Sequence, residues 1–191
     1  MEPAGLDGHS TGMSVQHSAA PFEPTATVRE GRPDDVGTVV AMVRELAEYE
    51  RSADQARLVP EQLHRALFEG AAPDGHAAAY LLVAEVGGGD GPETVGFALW
   101  FLNFSTWEGV HGIYLEDLYV RPRHRGSGLG GLLLRTLAQE CVANGYARLD
   151  WSVLDWNTPA VEFYKSVGAV GLDEWTGFRL TGPALAEFAG S

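Results

Sequence analysis

Val120-Arg121-Pro122-Arg123-His124-Arg125-Gly126-Ser127-Gly128-Leu129-Gly130-Gly131 is the stretch on which the fold is decided. Strand-forming residues lead into it and a leucine-rich helical pattern leaves it, so it spans a strand-to-helix junction. Glycines at such a junction let backbone N–H groups approach an anion, and the dipole of the following helix adds positive potential. Arg121, Arg123 and Arg125 fall within this one loop, in a chain with only 13 lysines and arginines in all. Guanidinium forks match phosphate oxygens, so the loop is expected to hold a polyphosphate; the plain alternative is a solvated turn. A Walker A loop is excluded because no Lys-Ser/Thr pair follows the glycines. The spacing Gly126, Gly128, Gly130, Gly131 does not fit a dinucleotide fingerprint either.

Working outward, Ser127–Asn144 reads as a helix with Leu129, Leu132, Leu133, Leu137 and Cys141 turned inward, and Gly145 stops it. Ala147–Val153 comes next as a strand, Thr158–Val167 as a helix stopped by Gly168, and Trp175–Leu180 as a last strand before a short terminal helix. Upstream, Ala79–Val86, Thr94–Phe104 and Ile113–Val120 are β-branched, aromatic and aliphatic runs expected in a buried sheet. Thr25–Arg29 is a short first strand. Pro33-Asp34-Asp35 opens a helix whose stripe is Val36, Val39, Val40, Val43, Leu46 and Ala47, and Glu61–Glu69 is a shorter one after Pro60. The order is β-α-α-β-β-β-α-β-α-β: a mixed α/β fold, antiparallel first, with a later βαβ unit. Residues 1 to about 24 are polar and without hydrophobic period, so they are expected to be a disordered extension ahead of one domain over 25–191.

Composition bounds the function. At 191 residues and 45% apolar content the chain can build one substantial core. Its 13 basic against 26 acidic residues leave a net charge of −13, which disfavours nucleic acid and suits a cationic partner, or simply solubility. A single cysteine, Cys141, excludes an internal disulfide. No apolar run approaches the roughly 20 residues of a membrane span, and the first residues do not read as a secretory signal. The six histidines show no ligand spacing, so no metal is expected. The expected compartment is the cytoplasm.

Arg125-x-x-Gly128-x-Gly130 resembles the acetyl-coenzyme A loop of the GNAT N-acetyltransferase superfamily. Leu46-Ala47-Glu48-Tyr49-Glu50, Tyr114-Leu115-Glu116-Asp117-Leu118-Tyr119-Val120 and Trp156-Asn157-x-Pro159-x-x-x-Phe163-Tyr164-Lys165-x-x-Gly168-Ala169 resemble its diamine (spermidine/spermine) N-acetyltransferase branch, in order, over about residues 25 to 180. The resemblance implies the GNAT fold, a mostly antiparallel sheet with a splayed central strand pair, and acetyl transfer from acetyl-CoA to a primary amine of a small cationic substrate in a direct ternary complex. Thialysine or another amino-acid analogue is an alternative substrate; a non-catalytic acyl-CoA-binding regulatory domain is the alternative of another class. A homodimer is implied by resemblance alone. Trp175 and Phe178 stand where the branch often carries an acidic-then-Trp stretch.

Acetylating an amine with a thioester needs a neutral nucleophile, a stabilised oxyanion and a proton for the departing thiolate. Polyamine nitrogens, with pKa near ~10, arrive charged, so a carboxylate must attract the cation and a base must take its proton. Strand alternation sends Glu116 and Asp117 to opposite faces, and by resemblance Glu116 is the one that binds the amine and relays its proton through water. By resemblance Tyr164 is the general acid; its spacing with Val161 and Val167 equally fits a helical core face. The main chain of Leu118, Tyr119 and Val120 is expected to serve the oxyanion and the pantetheine arm, their side chains being ordinary strand residues. Arg121, Arg123, Arg125, Gly126, Ser127, Gly128, Leu129, Gly130 and Gly131 are expected to hold the cofactor phosphates. Asn157 and Ala160 are implied as further cofactor contacts, Asn157 being equally a helix N-cap. Tyr49, Glu50, Asp150, Trp151 and Ser152 are the implied substrate residues, acid and aromatic groups suiting an alkylammonium.

Overall fold

The computed structural model describes residues 26–70, 75–88 and 91–190; the expected N-terminal extension lies outside them. Five strands, β1 (Thr27–Glu30), β2 (Tyr80–Gly88), β3 (Gly91–Ser105), β4 (Val110–Val120) and β5 (Leu149–Trp151), form one sheet in sequence order. The first four are antiparallel neighbours, and β5 runs parallel to β4. This parallel pair closes the expected βαβ unit through α3 (Leu129–Asn144). Two further helices, α1 (Val36–Tyr49) and α2 (Pro60–Phe68), separate β1 from β2.

Helices cover both faces of the sheet, which is why its strands read as continuous apolar runs rather than alternating ones. Val36, Val39, Val40 and Met42 of α1 and Leu63 and Leu67 of α2 pack with Leu81, Val83, Phe97 and Tyr119. Val83, Phe97 and Tyr119 are register partners across β2, β3 and β4, so one row of side chains forms the floor under α1. On α3 the apolar stripe Leu129, Leu133, Leu134, Leu137 and Cys141 is buried.

Two irregularities shape the sheet around β4. Leu99 pairs with Asp117 but Trp100 pairs with Leu115, so Glu116 is an extra residue in β4, a β-bulge. The β4–β5 ladder covers only Ile113, Tyr114 and Leu115, and β4 then continues to Val120 against β3 alone. The splayed strand pair therefore opens where the bulge sits.

One compact unit of the chain ends at Trp151, and a second begins at Ser152. The second contains α4 (Thr158–Ser166) and α5 (Gly182–Ala189). The expected strand Trp175–Leu180 is absent: these residues carry no regular structure, and Trp175 and Phe178 are 72% and 95% exposed. Aromatic residues there signal β-propensity, but a strand exists only through a ladder partner, and among the described residues this stretch has none. No helix among the described residues is long and apolar enough to cross a membrane.

Candidate acetyltransferase site

The phosphate loop is built as a strand-to-helix turn. Pro122–His124 form a short 3-10 turn, and Gly126 and Gly128 take positive φ of 79° and 89°, which non-glycine residues seldom adopt. Leu132 makes the first intrahelical bond, to the carbonyl of Gly128. The N–H groups of Leu129, Gly130 and Gly131 thus precede the helical ladder, and no side chain caps that end. Together with the helix dipole they make a backbone cradle for an anion. The residues present fit a coenzyme A polyphosphate, with Ser127 tied inward through a 2.6 Å bond to the carbonyl of His124.

The three arginines differ in their partners. Arg121 bonds Glu45 of α1, at 3.2 Å, and Glu93 at the start of β3, at 3.5 Å. Arg123 also pairs with Glu93. Arg125 donates from Nε to the carbonyl of Val120 at 2.9 Å, with its Cζ 4.7 Å from the ring centroid of Tyr49 and 5.5 Å from that of Tyr119. Sequence reading expected Tyr119 to matter only through its main chain. Its ring is instead buried in the core, and its hydroxyl donates to Glu45 at 3.0 Å. Burial, the Glu45 hydrogen bond and the Glu45 charge push that hydroxyl's pKa up. Glu45 is the residue that sequence reasoning missed. Its one signal was its place four residues before Tyr49, on the same face of α1.

A second group of residues carries the opposite charge. Asp117 is pushed up to about 6, first by burial and then by the charges of Glu116 and Glu50. The Glu50 carboxyl, one residue beyond α1, is itself raised by burial. Three carboxylates thus share one field at the bulge where β4 leaves β5. The bulge interrupts the strict alternation of β4 at Glu116. Glu116 is exposed and Asp117 half-buried. In such a cluster each ionised carboxylate opposes the next, and a cationic amine would offset that repulsion.

Asp150 bonds Arg148 at 2.8 Å and accepts from Asn103 Nδ2 at 3.1 Å, so β5 and β3 fix its carboxylate. Trp151 ends β5. Ser152, Asn157, Ala160 and Tyr164 belong to the second unit. There Asn157 precedes α4 without a side-chain cap, its carbonyl accepting from Ala160 and Val161. Tyr164 is half-buried with its ring 5.3 Å from Phe163, while Val167 is 53% exposed, so the three-residue core face is incomplete.

The model of the acetyltransferase (GNAT) family matches residues 39–169. A thialysine N-epsilon-acetyltransferase of Bos taurus is 39% identical over 166 residues, covering 85% of this chain and 96% of its own length. A spermidine/spermine N(1)-acetyltransferase-like protein 1 of Homo sapiens is 31% identical over 80% of this chain and 22% of its own. Among solved structures, an integron cassette protein from the mobile metagenome of V. cholerae superposes with a TM-score of 0.70 at 26% identity, covering 87% of this chain and 99% of that one.

Proposed function

The chain belongs to the acetyltransferase (GNAT) family and is an N-acetyltransferase, and from that premise we propose that it acetylates a primary amine of a small cationic, diamine-like molecule with acetyl-CoA. The observation that carries the substrate class is the Glu50, Glu116 and Asp117 cluster: burial first, and then the repulsion of Glu116 and Glu50, raise Asp117, and a bound cation would relieve that repulsion. Acetyl-CoA supplies the activated acyl group. The backbone of Gly126 to Gly131 and Arg125 hold its phosphates, with Arg121 and Arg123 contributing once their carboxylate partners yield. The edge of β4 from Glu116 to Val120, free of β5, offers main-chain N–H groups to the acyl oxygen as it gains charge. Glu116, exposed beside the cluster, draws the ammonium and takes its proton through water. Tyr164, neutral at pH 7, returns a proton to the thiolate.

A second reading has support in the relatives: an amino-acid analogue such as thialysine as the acceptor, as the name of the Bos taurus protein states for that protein. One experiment separates them. Initial rates with acetyl-CoA are measured for spermidine, 1,3-diaminopropane, thialysine and lysine. The highest kcat/KM on the diamines supports the first reading, the highest on thialysine replaces it with the second, and none on any amine overturns both. A cytoplasmic homodimer is part of the proposal on family resemblance, and monomeric versus dimeric mass is read by light scattering on the purified chain.

A further inference from the structure

We propose that Tyr49 is a positioning residue for the cofactor loop: its ring is the platform that holds the Arg125 guanidinium ready for a phosphate. This rests on the reading of the 121–131 loop as the acetyl-CoA phosphate site.

Among the described residues, Arg125 is the one loop arginine with no carboxylate within ion-pair distance, since Arg121 and Arg123 pair with Glu45 and Glu93. What holds Arg125 is neutral: the Val120 carbonyl at Nε and the faces of Tyr49 and Tyr119. These contacts leave its full charge in place and use Nε, so the two Nη groups are the part left to grip a phosphate. A guanidinium already fixed in this way has lost its rotamer freedom before the cofactor arrives, and binding does not have to order it. The two rings are in turn fixed by one face of α1. Glu45 accepts from the Tyr119 hydroxyl, and Tyr49 stands one helical turn further along. Tyr49 therefore acts on the cofactor through Arg125, while its neighbour Glu50 faces the carboxylate cluster.

The test measures the dissociation constant of acetyl-CoA by calorimetry and the amine KM at saturating acetyl-CoA for the wild type, Tyr49→Phe, Tyr49→Leu, Arg125→Ala and the Tyr49→Leu/Arg125→Ala double variant. Tyr49→Phe, which keeps the ring face, is expected to bind acetyl-CoA within about twofold of wild type. Tyr49→Leu is expected to bind it roughly 3- to 30-fold more weakly, the range of a cation–π contact. In the double variant the Tyr49→Leu effect should vanish, because no cation is left at position 125 for the ring to hold. Additive effects, or a raised amine KM with intact acetyl-CoA binding, overturn the proposal. If Arg125→Ala weakens acetyl-CoA binding and Tyr49→Leu does not, the proposal fails alone. If Arg125→Ala also binds normally, the loop assignment fails with it. Should Tyr49→Leu not fold, Tyr49→Met makes the same comparison.

Discussion

Replacing Asp117 by asparagine should make the protein more stable and less effective on a cationic amine, both in a pH-dependent way. Asp117 moves from an ordinary value of 3.8 to about 6 because burial and then the charges of Glu116 and Glu50 oppose its ionisation. A raised pKa means that the folded state holds the proton more tightly than the unfolded chain. Stability is thus fully present below about pH 4 and is lost as pH rises through 6. A shift of roughly two pK units corresponds to about 3 kcal/mol, or a fall of roughly 6 to 12 °C in Tm for a chain of this size. Asp117→Asn lacks the ionisation and should escape that fall. Thermal melts of both proteins from pH 4 to 8 check it: the two Tm values should diverge between pH 4 and 6, with the variant higher above pH 6. A saturating diamine should narrow the gap, because the cation offsets the repulsion that the variant has lost. Parallel Tm curves across that range would refute the reasoning, since Asp117 would then titrate alike in both states.

Tyr164→Phe should lower kcat by 10-fold or more while changing acetyl-CoA affinity less than about twofold, read from kinetics beside calorimetry; unaltered turnover removes the general-acid role. Gly128→Ala forces a Cβ into a backbone with φ of 89°, costs about 1–2 kcal/mol, and should weaken acetyl-CoA binding at least 10-fold by distorting the cradle. Arg29 bonds Asp35 at 2.7 Å and Glu85 at 2.6 Å, largely out of solvent. Burial pushes the Asp35 carboxyl up, but the hydrogen bonds from Arg29 and from the N–H of Arg32 outweigh it and hold it low. Arg29→Met should therefore destabilise the fold by about 3 kcal/mol at pH 7. The deficit, read from denaturant melts, should shrink on acidification, as the depressed Asp35 loses its stabilising ionisation in the wild type.

Elements were legible where the information is local. The run Leu81–Val86 announces a strand covered on both faces, and the left-handed Gly145 ends α3 where the glycine pattern puts the stop. Acid at β4 and base at the loop were also legible, because each is a matter of residue type at one place. What depends on a distant partner was not. The bulge at Glu116 is set by the register against Leu99 and Trp100, so alternation within β4 alone could not announce it. Arg121 and Arg123 read as one positive patch with Arg125 until Glu45 and Glu93, far off in sequence, are brought against them. The hydrogen bond that Asp150 accepts from Asn103, in another strand, was likewise not legible. For Trp175–Leu180, propensity named a strand that has no ladder to join among the described residues.

The proposed reaction asks one small site to hold an anionic cofactor beside a cationic amine, and the end of α1 is where the two requirements meet. An arginine and a carboxylate free to pair there would neutralise each other and leave less field for either ligand. Arg121 and Arg123 have met that fate with Glu45 and Glu93, so their charge reaches a phosphate only if those pairs open. Arg125 has not, because the groups against it are two aromatic faces and a carbonyl, which orient a cation without cancelling it. Glu50, the next residue after Tyr49, adds its charge to that of Glu116 in the field at Asp117. Tyr49 is thus a neutral spacer between opposite charges. On that basis the net charge of −13 says little about the site, whereas the one loop arginine without an acidic partner among the described residues is the one the proposal assigns to a phosphate.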